Sequence, residues 1–299
     1  MSAPSGTDST RGSRTDAVWT GAIGAVAALV YLATLCPTVY VMDAPELVTA
    51  AEVLGVAHPP GYPLFTLLYA AAVRVLPVGD AALRANVFTA LLAAAAVALL
   101  YRAARAFGAG RAAAAVAALG VAFARDWWAQ AVSTEVYALD GLLAASVLLA
   151  AARLRDAPGR AAAWTVLGLA CGFAAGHRAT NVVHLAPLVV WAEMCRRASG
   201  APARLRLRFL AAGLATAVVF VYLPLATRLG PPLAHGEPDT WARFWDVVRA
   251  ETYARHLTGT TLGRSFARLG EILVRVPAQA PVVVLAAAWA LWRRRSDGA

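Results

Sequence analysis

Long apolar runs separated by short arginine clusters limit this chain more than any other feature of it. A helix needs about 20 apolar residues, usually about 17 to 25, to cross the hydrocarbon core of a bilayer. Runs of this kind lie near 17–35, 85–107, 111–126, 135–152, 161–176, 181–195, 209–227 and 277–292. They predict an all-α polytopic membrane protein with about eight spanning helices. Composition agrees, because 60% of the 299 residues are hydrophobic and 15% are charged, with a mean hydropathy of +0.60. So little polar surface cannot clothe a water-soluble domain of this size. The formal charge of +10 does not point to nucleic acid, since all 27 basic residues are arginines gathered mainly between apolar runs. That placement is the signature of membrane topology.

The run 61–77 is long enough to cross but opens on Gly61 and Pro63. If it lies along the membrane surface, one side receives Arg11, Arg14, Arg102, Arg105, Arg111, Arg153, Arg155, Arg160, Arg196, Arg197, Arg204, Arg206, Arg208, Arg293, Arg294 and Arg295. A ninth crossing would scatter these clusters to both sides. The positive-inside rule therefore favours eight spans, both termini in the cytoplasm, and long outward loops at 36–83 and 228–276. Residues 1–16 read as an unstructured cytoplasmic tail, 17–292 as one transmembrane domain, and 293–299 as a second tail. No cleavage signal follows the first run, so it reads as a retained helix. With seven residues after Trp292, no soluble C-terminal domain is expected. Heavy Ala, Arg and Gly use without Lys suggests a GC-rich bacterial source and hence its plasma membrane. Cys36, Cys171 and Cys195 sit in separate segments without ligand spacing, which predicts neither a disulfide framework nor a zinc site.

Chemistry concentrates in the outward segments. The first loop holds Asp43, Glu46, Glu52 and His58 with no arginine among them. One reading makes Asp43 and Glu46 a capping box that opens a short surface helix ending at Gly55. The other makes Asp43 a general base or metal ligand whose apolar surroundings raise its proton affinity. Pro59, Pro60 and Pro63 around Gly61 predict a stiff extended turn that fixes His58 and Tyr62. Farther on, Glu135 stands where an apolar run begins, a costly place for a charge without a partner or a task. Trp127 and Trp128 suit an interfacial belt. The segment GHRATN puts His177 and Arg178 between two runs, and Arg84 precedes another. Either guanidinium can meet phosphate oxygens, or simply reach lipid headgroups. In the last loop Trp241, Phe244 and Trp245 serve as packing or as a sugar-holding surface, in a segment long enough to cap the outer face.

Several motifs, in order, resemble one family. They are DAPELVTAAEVLGVAHPPGYPLFTLL, RANVFTALLAAAAVALLY, WWAQAVSTEVYALD, GHRATN, and YLPL followed by HGEPDTWARFW, together spanning about residues 30–255. The family is one of membrane proteins long without an assigned function, whose animal members are transmembrane protein O-mannosyltransferases. It resembles the GT-C glycosyltransferases, which draw sugar from a polyprenyl-phosphate carrier. The resemblance implies a GT-C-like bundle with juxtamembrane helices, matching the surface-lying reading of 61–77. Where the family carries Ser-Gly between its two acids, this chain has Ala44 and Pro45. The chain is also short for the superfamily.

The resemblance further implies transfer of a hexose, mannose by expectation, from polyprenyl phosphate to an acceptor hydroxyl on protein Ser/Thr or glycan, with inversion. Asp43 falls at the superfamily's catalytic carboxylate and would take the acceptor's proton, with Glu46 beside it. Arg84 and Arg178, helped by His177, would stabilise the leaving phosphate. His58, Tyr62, Glu135 and Tyr137 would hold the sugar, and Trp241 and Trp245 would belong to the acceptor and cap loop. No cofactor is required by any spacing; a divalent cation, if used, would find Asp43, Glu46 and His58. Two rival readings are a transporter or flippase for a lipid-linked or anionic solute, and a non-catalytic assembly subunit. A transporter would want charges deep within broken spans, whereas these lie mostly at span ends.

Overall fold

The computed structural model describes residues 6–252 and isolated positions between 267 and 278; the run 277–292 lies almost wholly outside them. Every other apolar run is helical. The elements are α1 (Gly6–Ala33), α2 (Ala44–Val53), α3 (Pro63–Val75), α4 (Ala81–Ala106), α5 (Arg111–Ala122), α6 (Arg125–Ala131), α7 (Tyr137–Asp156), α8 (Ala161–His177) and α9 (Thr180–Ala198). Then come α10 (Leu205–Ala215), a 3₁₀ turn (Thr216–Val221), α11 (Tyr222–Arg228) and α12 (Trp241–Val248).

Four stretches are long and apolar enough to cross a membrane: Arg14–Ala33, Ala81–Ala106, Tyr137–Asp156 and the continuous Leu205–Arg228. This is an integral membrane protein. Other helices are shorter or more charged: α5 has 12 residues and α8 has 17, while α9 carries Glu193, Arg196 and Arg197 in its last turns. The α3 helix has 13 residues. Its length of about 20 Å falls short of a hydrocarbon core of about 30 Å. One correction concerns the N-terminal tail, since α1 reaches back to Gly6. The Asp16 carboxylate anchors this part of α1 to Arg105 at 3.1 Å and Arg111 at 2.7 Å.

The bundle centres on α4, which packs against α1 and α7; α7 packs on α8 and α8 on α10. Alanine fills much of this core, so backbones approach closely. At the α8–α10 seam a Cβ on Gly168 would come within 2.3 Å of the Phe209 carbonyl, and one on Gly172 within 2.5 Å of the Gly213 carbonyl. Small residues four apart give van der Waals contact where lipid supplies no hydrophobic drive between helices. The α6 tryptophans also serve packing: Trp127 donates to Tyr31 Oη at 3.0 Å and Trp128 to Thr34 Oγ1 at 2.9 Å, both on or just after α1.

Helix direction then gathers the loops. The end of α1, the starts of α4, α7 and α9, and the ends of α8 and α11 share one end of the bundle. The chemically rich segments of the sequence all meet there.

Candidate active site

The first loop departs from a capping box. Asp43 occupies the N-cap position of α2, yet its side chain makes no cap hydrogen bond. Glu46 turns instead to His58, accepting its backbone N–H at 2.5 Å and lying 3.2 Å from its Nδ1. The other ring nitrogen, Nε2, is 3.9 Å from Asp43 Oδ2. Helix α2 ends with Leu54 in the left-handed region, and the Gly55 N–H donates back to Ala50. Glycine is required at 55 because a Cβ there would lie 2.3 Å from the Leu233 carbonyl.

That close approach joins the two long loops. Val56 donates to the Leu233 carbonyl and His235 donates to the Val56 carbonyl, each at 3.0 Å, forming a short parallel bridge between Val56 and Ala234. Tyr222 Oη adds a hydrogen bond to the Gly55 carbonyl at 2.8 Å. The bridge delivers His235, whose Nδ1 is 3.2 Å from Glu46 Oε1. Glu46 is thus held between two imidazoles. Sequence reasoning had not singled out His235; its one signal was its place in the HGEP segment of the family motif.

The proline-rich turn is tighter than the expected extended one. Gly61 at φ 83° and Tyr62 at φ 41° both take left-handed conformations, and the Gly61 N–H donates to the His58 carbonyl at 2.8 Å. Only glycine adopts such a φ without strain, and a Cβ at 61 would also sit 2.9 Å from Leu223. The reversal buries the Tyr62 ring between two histidines, with centroids 5.3 Å from His58 and 5.5 Å from His177.

Glu135 approaches from the α6–α7 junction and is only 7% exposed. Its carboxylate lies close enough to Asp43 and His58 for both to act on its charge. Burial first, and then the negative charge of Asp43, push its pKa up to about 7. Both segments are held by Asn86, 1% exposed on α4. Its Nδ2 donates to the Cys36 and Thr38 carbonyls at 2.8 and 2.9 Å, and its Oδ1 accepts from the Thr134 N–H at 2.8 Å and hydroxyl at 2.6 Å. Every polar atom of this amide is used. Asn86 was not a sequence-level candidate, because a lone Asn in an Ala-rich helix carries no local mark.

The remaining residues divide. The His177 ring is buried, with Nε2 on the Val136 carbonyl at 3.0 Å. The neighbouring Arg178 lies 5.0 Å over the Tyr137 ring and 3.2 Å from Asp140 Oδ2, and Asn181 holds the other Asp140 oxygen at 2.5 Å. Asp43, Glu46, His58, Tyr62, Glu135, Tyr137, His177 and Arg178 therefore form one chain of neighbours. Arg84 does not join it. Its guanidinium donates to the carbonyls of Val73, Val78 and Gly79 at 2.9, 2.8 and 2.9 Å, fastening the end of α3 to the start of α4. Val73 is separated from Pro63 by ten residues of helix, about 15 Å. Trp241 and Trp245 line a cavity of ≈ 620 Å³ between α12 and Ala217–Arg228, with Trp241 75% exposed.

Among the described residues no arginine pairs with the three carboxylates; imidazoles stand against Glu46 and, at 3.9 Å, beside Asp43. Burial alone would raise Glu46, but the hydrogen bonds from His58 hold its carboxyl below the ordinary range. The same bond, against burial, holds His58 above the usual imidazole value. Asp43 remains the open carboxylate, with its side chain 52% exposed. Among the described residues no trio of His, Cys, Asp or Glu is arranged to hold a metal ion. His58 spans Asp43 and Glu46 with its two nitrogens, an arrangement unlike a ligand set converging on one point. The arrangement can accept a proton at Asp43 and present cationic or neutral imidazoles beside it.

Residues 43–201 match the family described as the protein O-mannosyl-transferase TMEM260 N-terminal domain. The Protein O-mannosyl-transferase TMEM260 of Mus musculus is 31% identical over 212 residues, covering 70% of this chain and 30% of that protein. A Dictyostelium discoideum protein of the same description is 55% identical over 40 residues, or 13% of this chain and 5% of the relative. The chain thus spans under a third of the mouse relative. Among solved structures, the Saccharomyces cerevisiae protein O-mannosyltransferase Pmt1–Pmt2 complex bound to the sugar donor aligns with a TM-score of 0.59 at 17% identity. It covers 71% of this chain and 33% of that one, and the likeness extends to a GT-C helical fold. The chain belongs to the TMEM260 N-terminal domain family.

Proposed function

We propose that this chain is a polyprenyl-phosphate-dependent glycosyltransferase that moves a hexose, mannose by family likeness, onto a protein Ser/Thr hydroxyl. The observation that carries the reading is the meeting of Asp43, Glu46 and His58 of the first loop with Glu135 from the α6–α7 junction, at the end of the bundle that also holds Arg178. The family name and the donor-bound yeast relative support the same class of reaction.

In this reading the acceptor oxygen attacks the anomeric carbon while the bond from that carbon to the phosphate oxygen breaks. Asp43 takes the hydroxyl proton, and the polyprenyl phosphate leaves with the bonding electrons. A base on the face opposite the leaving group gives inversion. His58, fixed by Glu46, holds the Asp43 carboxylate in place from 3.9 Å. Arg178 supplies charge for the departing phosphate, since its face toward Tyr137 leaves part of the guanidinium accessible. Arg84, committed to three carbonyls, drops out of that role, and His177 acts by holding Tyr62 and the Val136 backbone. Trp241 and Trp245 are assigned to the acceptor, because their cavity lies under α12 beside the loop that carries His235. The site would face away from the cytoplasm of a bacterial plasma membrane, with both termini inside.

The test is transfer of radiolabelled sugar in membranes carrying Asp43→Asn. The expected loss is about 100-fold or more in rate at normal expression, the scale of general-base catalysis. A wild-type rate would remove Asp43 from the mechanism.

A further inference from the structure

We propose that a cleft at the opposite end of the bundle binds an anionic glycerophospholipid of the adjoining leaflet. The cleft, of ≈ 390 Å³, lies between α4, α7 and α8 and is lined by Leu99, Ser146, Leu149, Arg153, Arg160 and Val166. Arg153 stands sixteen residues along α7 from Tyr137, about 25 Å away from the candidate active site. The two sites therefore belong to different surfaces of the membrane.

Some arginines at this end of the bundle are matched by acids, and those of the cleft are not. Arg105 and Arg111 share Asp16, Arg155 pairs with Asp156, and Arg196, Arg197 and Arg206 share Glu193. Arg153 and Arg160 have no carboxylate partner among the described residues, and both are exposed. Two guanidiniums at one mouth repel each other unless an anion sits between them.

The walls decide which anion. Leu99, Leu149 and Val166 are apolar, and the Ser146 hydroxyl is already used on the Leu142 carbonyl at 2.7 Å. Ser146 lies two helical turns from Arg153, so the cleft runs about 10 Å from headgroup level toward the hydrocarbon. A free phosphate would satisfy the arginines and leave that wall bare; a lipid supplies a phosphate above and an acyl chain below. Basic pockets between spanning helices bind anionic headgroups in this manner.

The experiment uses the purified full chain in neutral detergent, with no sugar donor, so its outcome is independent of the transferase reading. Phosphatidylglycerol should raise the thermal midpoint more than phosphatidylcholine does and should remain bound in native mass spectrometry. The double variant Arg153→Gln/Arg160→Gln should bind it at least tenfold more weakly, whereas Arg197→Gln, outside the cleft and already paired, should not change it. Val166→Trp, on an exposed helix face, should block binding with both arginines intact. Equal response to the two lipids, the same response to glycerol phosphate alone, or undiminished binding by the double variant would each overturn the proposal.

Discussion

A single carboxylate and a group of three sit at opposite ends of the same bundle and are treated oppositely. Glu193 at one end is surrounded by Arg196, Arg197 and Arg206, so its charge is matched several times over. At the other end, among the described residues, Asp43, Glu46 and Glu135 are faced by His58 and His235, both on Glu46, with Asp43 3.9 Å from the first. A saturated carboxylate is locked in its ionised state and serves to hold helices together. An under-neutralised group of acids with titratable neighbours can exchange protons, and such imbalance is where chemistry gathers.

After the loss of Asp43 itself, the largest effect should come from Asn86→Ala, which frees the loop before Asp43 and the segment before Glu135 together. Sugar transfer should fall about 10-fold or more, and stability by about 1–3 kcal/mol for the unsatisfied buried groups. A variant with full activity would show that the two carboxylates need no common support. Next comes a paired test of the arginines. Arg178→Lys should raise the donor KM severalfold with a small change in midpoint temperature, while Arg84→Lys should lower the midpoint and leave KM alone. Reversal of that pattern would return Arg84 to the site.

A smaller effect is predicted in the pH dependence of stability. The Glu135 pKa is raised from its ordinary value to about 7, so the folded protein holds a proton that the unfolded chain releases. Its contribution is fully present below the unfolded value and is lost as pH rises through about 7. Glu135→Gln should therefore flatten the fall of the melting temperature between pH 4.5 and about 7. His58, whose raised value acts in the same direction, adds to the slope that remains. An unchanged slope would show Glu135 to be an ordinary carboxylate. Smallest of all, Glu193→Gln should lower the melting temperature slightly and leave the transfer rate unchanged, since its exposed pairs with Arg197 and Arg206 contribute at most about 1 kcal/mol each. A lost rate would mean that the saturated cluster is not merely structural.

Much of the architecture was legible because hydropathy and helix length are local properties. The runs that became α4, α7 and α10–α11 are readable from a window of residues, since lipid demands a continuous apolar surface. The short α3 was legible too, through its proline and glycine and the placement of arginines. Asp43, Glu135 and Arg178 stood out as polar groups at the ends of apolar runs. What that reading missed is the bonding of each group. Glu46 looked like the partner of Asp43 in a cap, and the fold sends it to His58 and His235 instead. Arg84 and Arg178 looked equivalent, and they part because only one is surrounded by free carbonyls.

By itself, then, the sequence determined that the chain enters a membrane as helices and that Asp43, His58 and Glu135 lie between its long apolar runs or at their ends, because both follow from transfer free energies summed over neighbouring residues. Tertiary structure alone decided which of those groups meet. The bridge of Val56 to Ala234, the Asn86 clip and the turn at Gly61 join residues far apart in the chain, and such contacts depend on how closely packed helices place their loops, which no local pattern encodes.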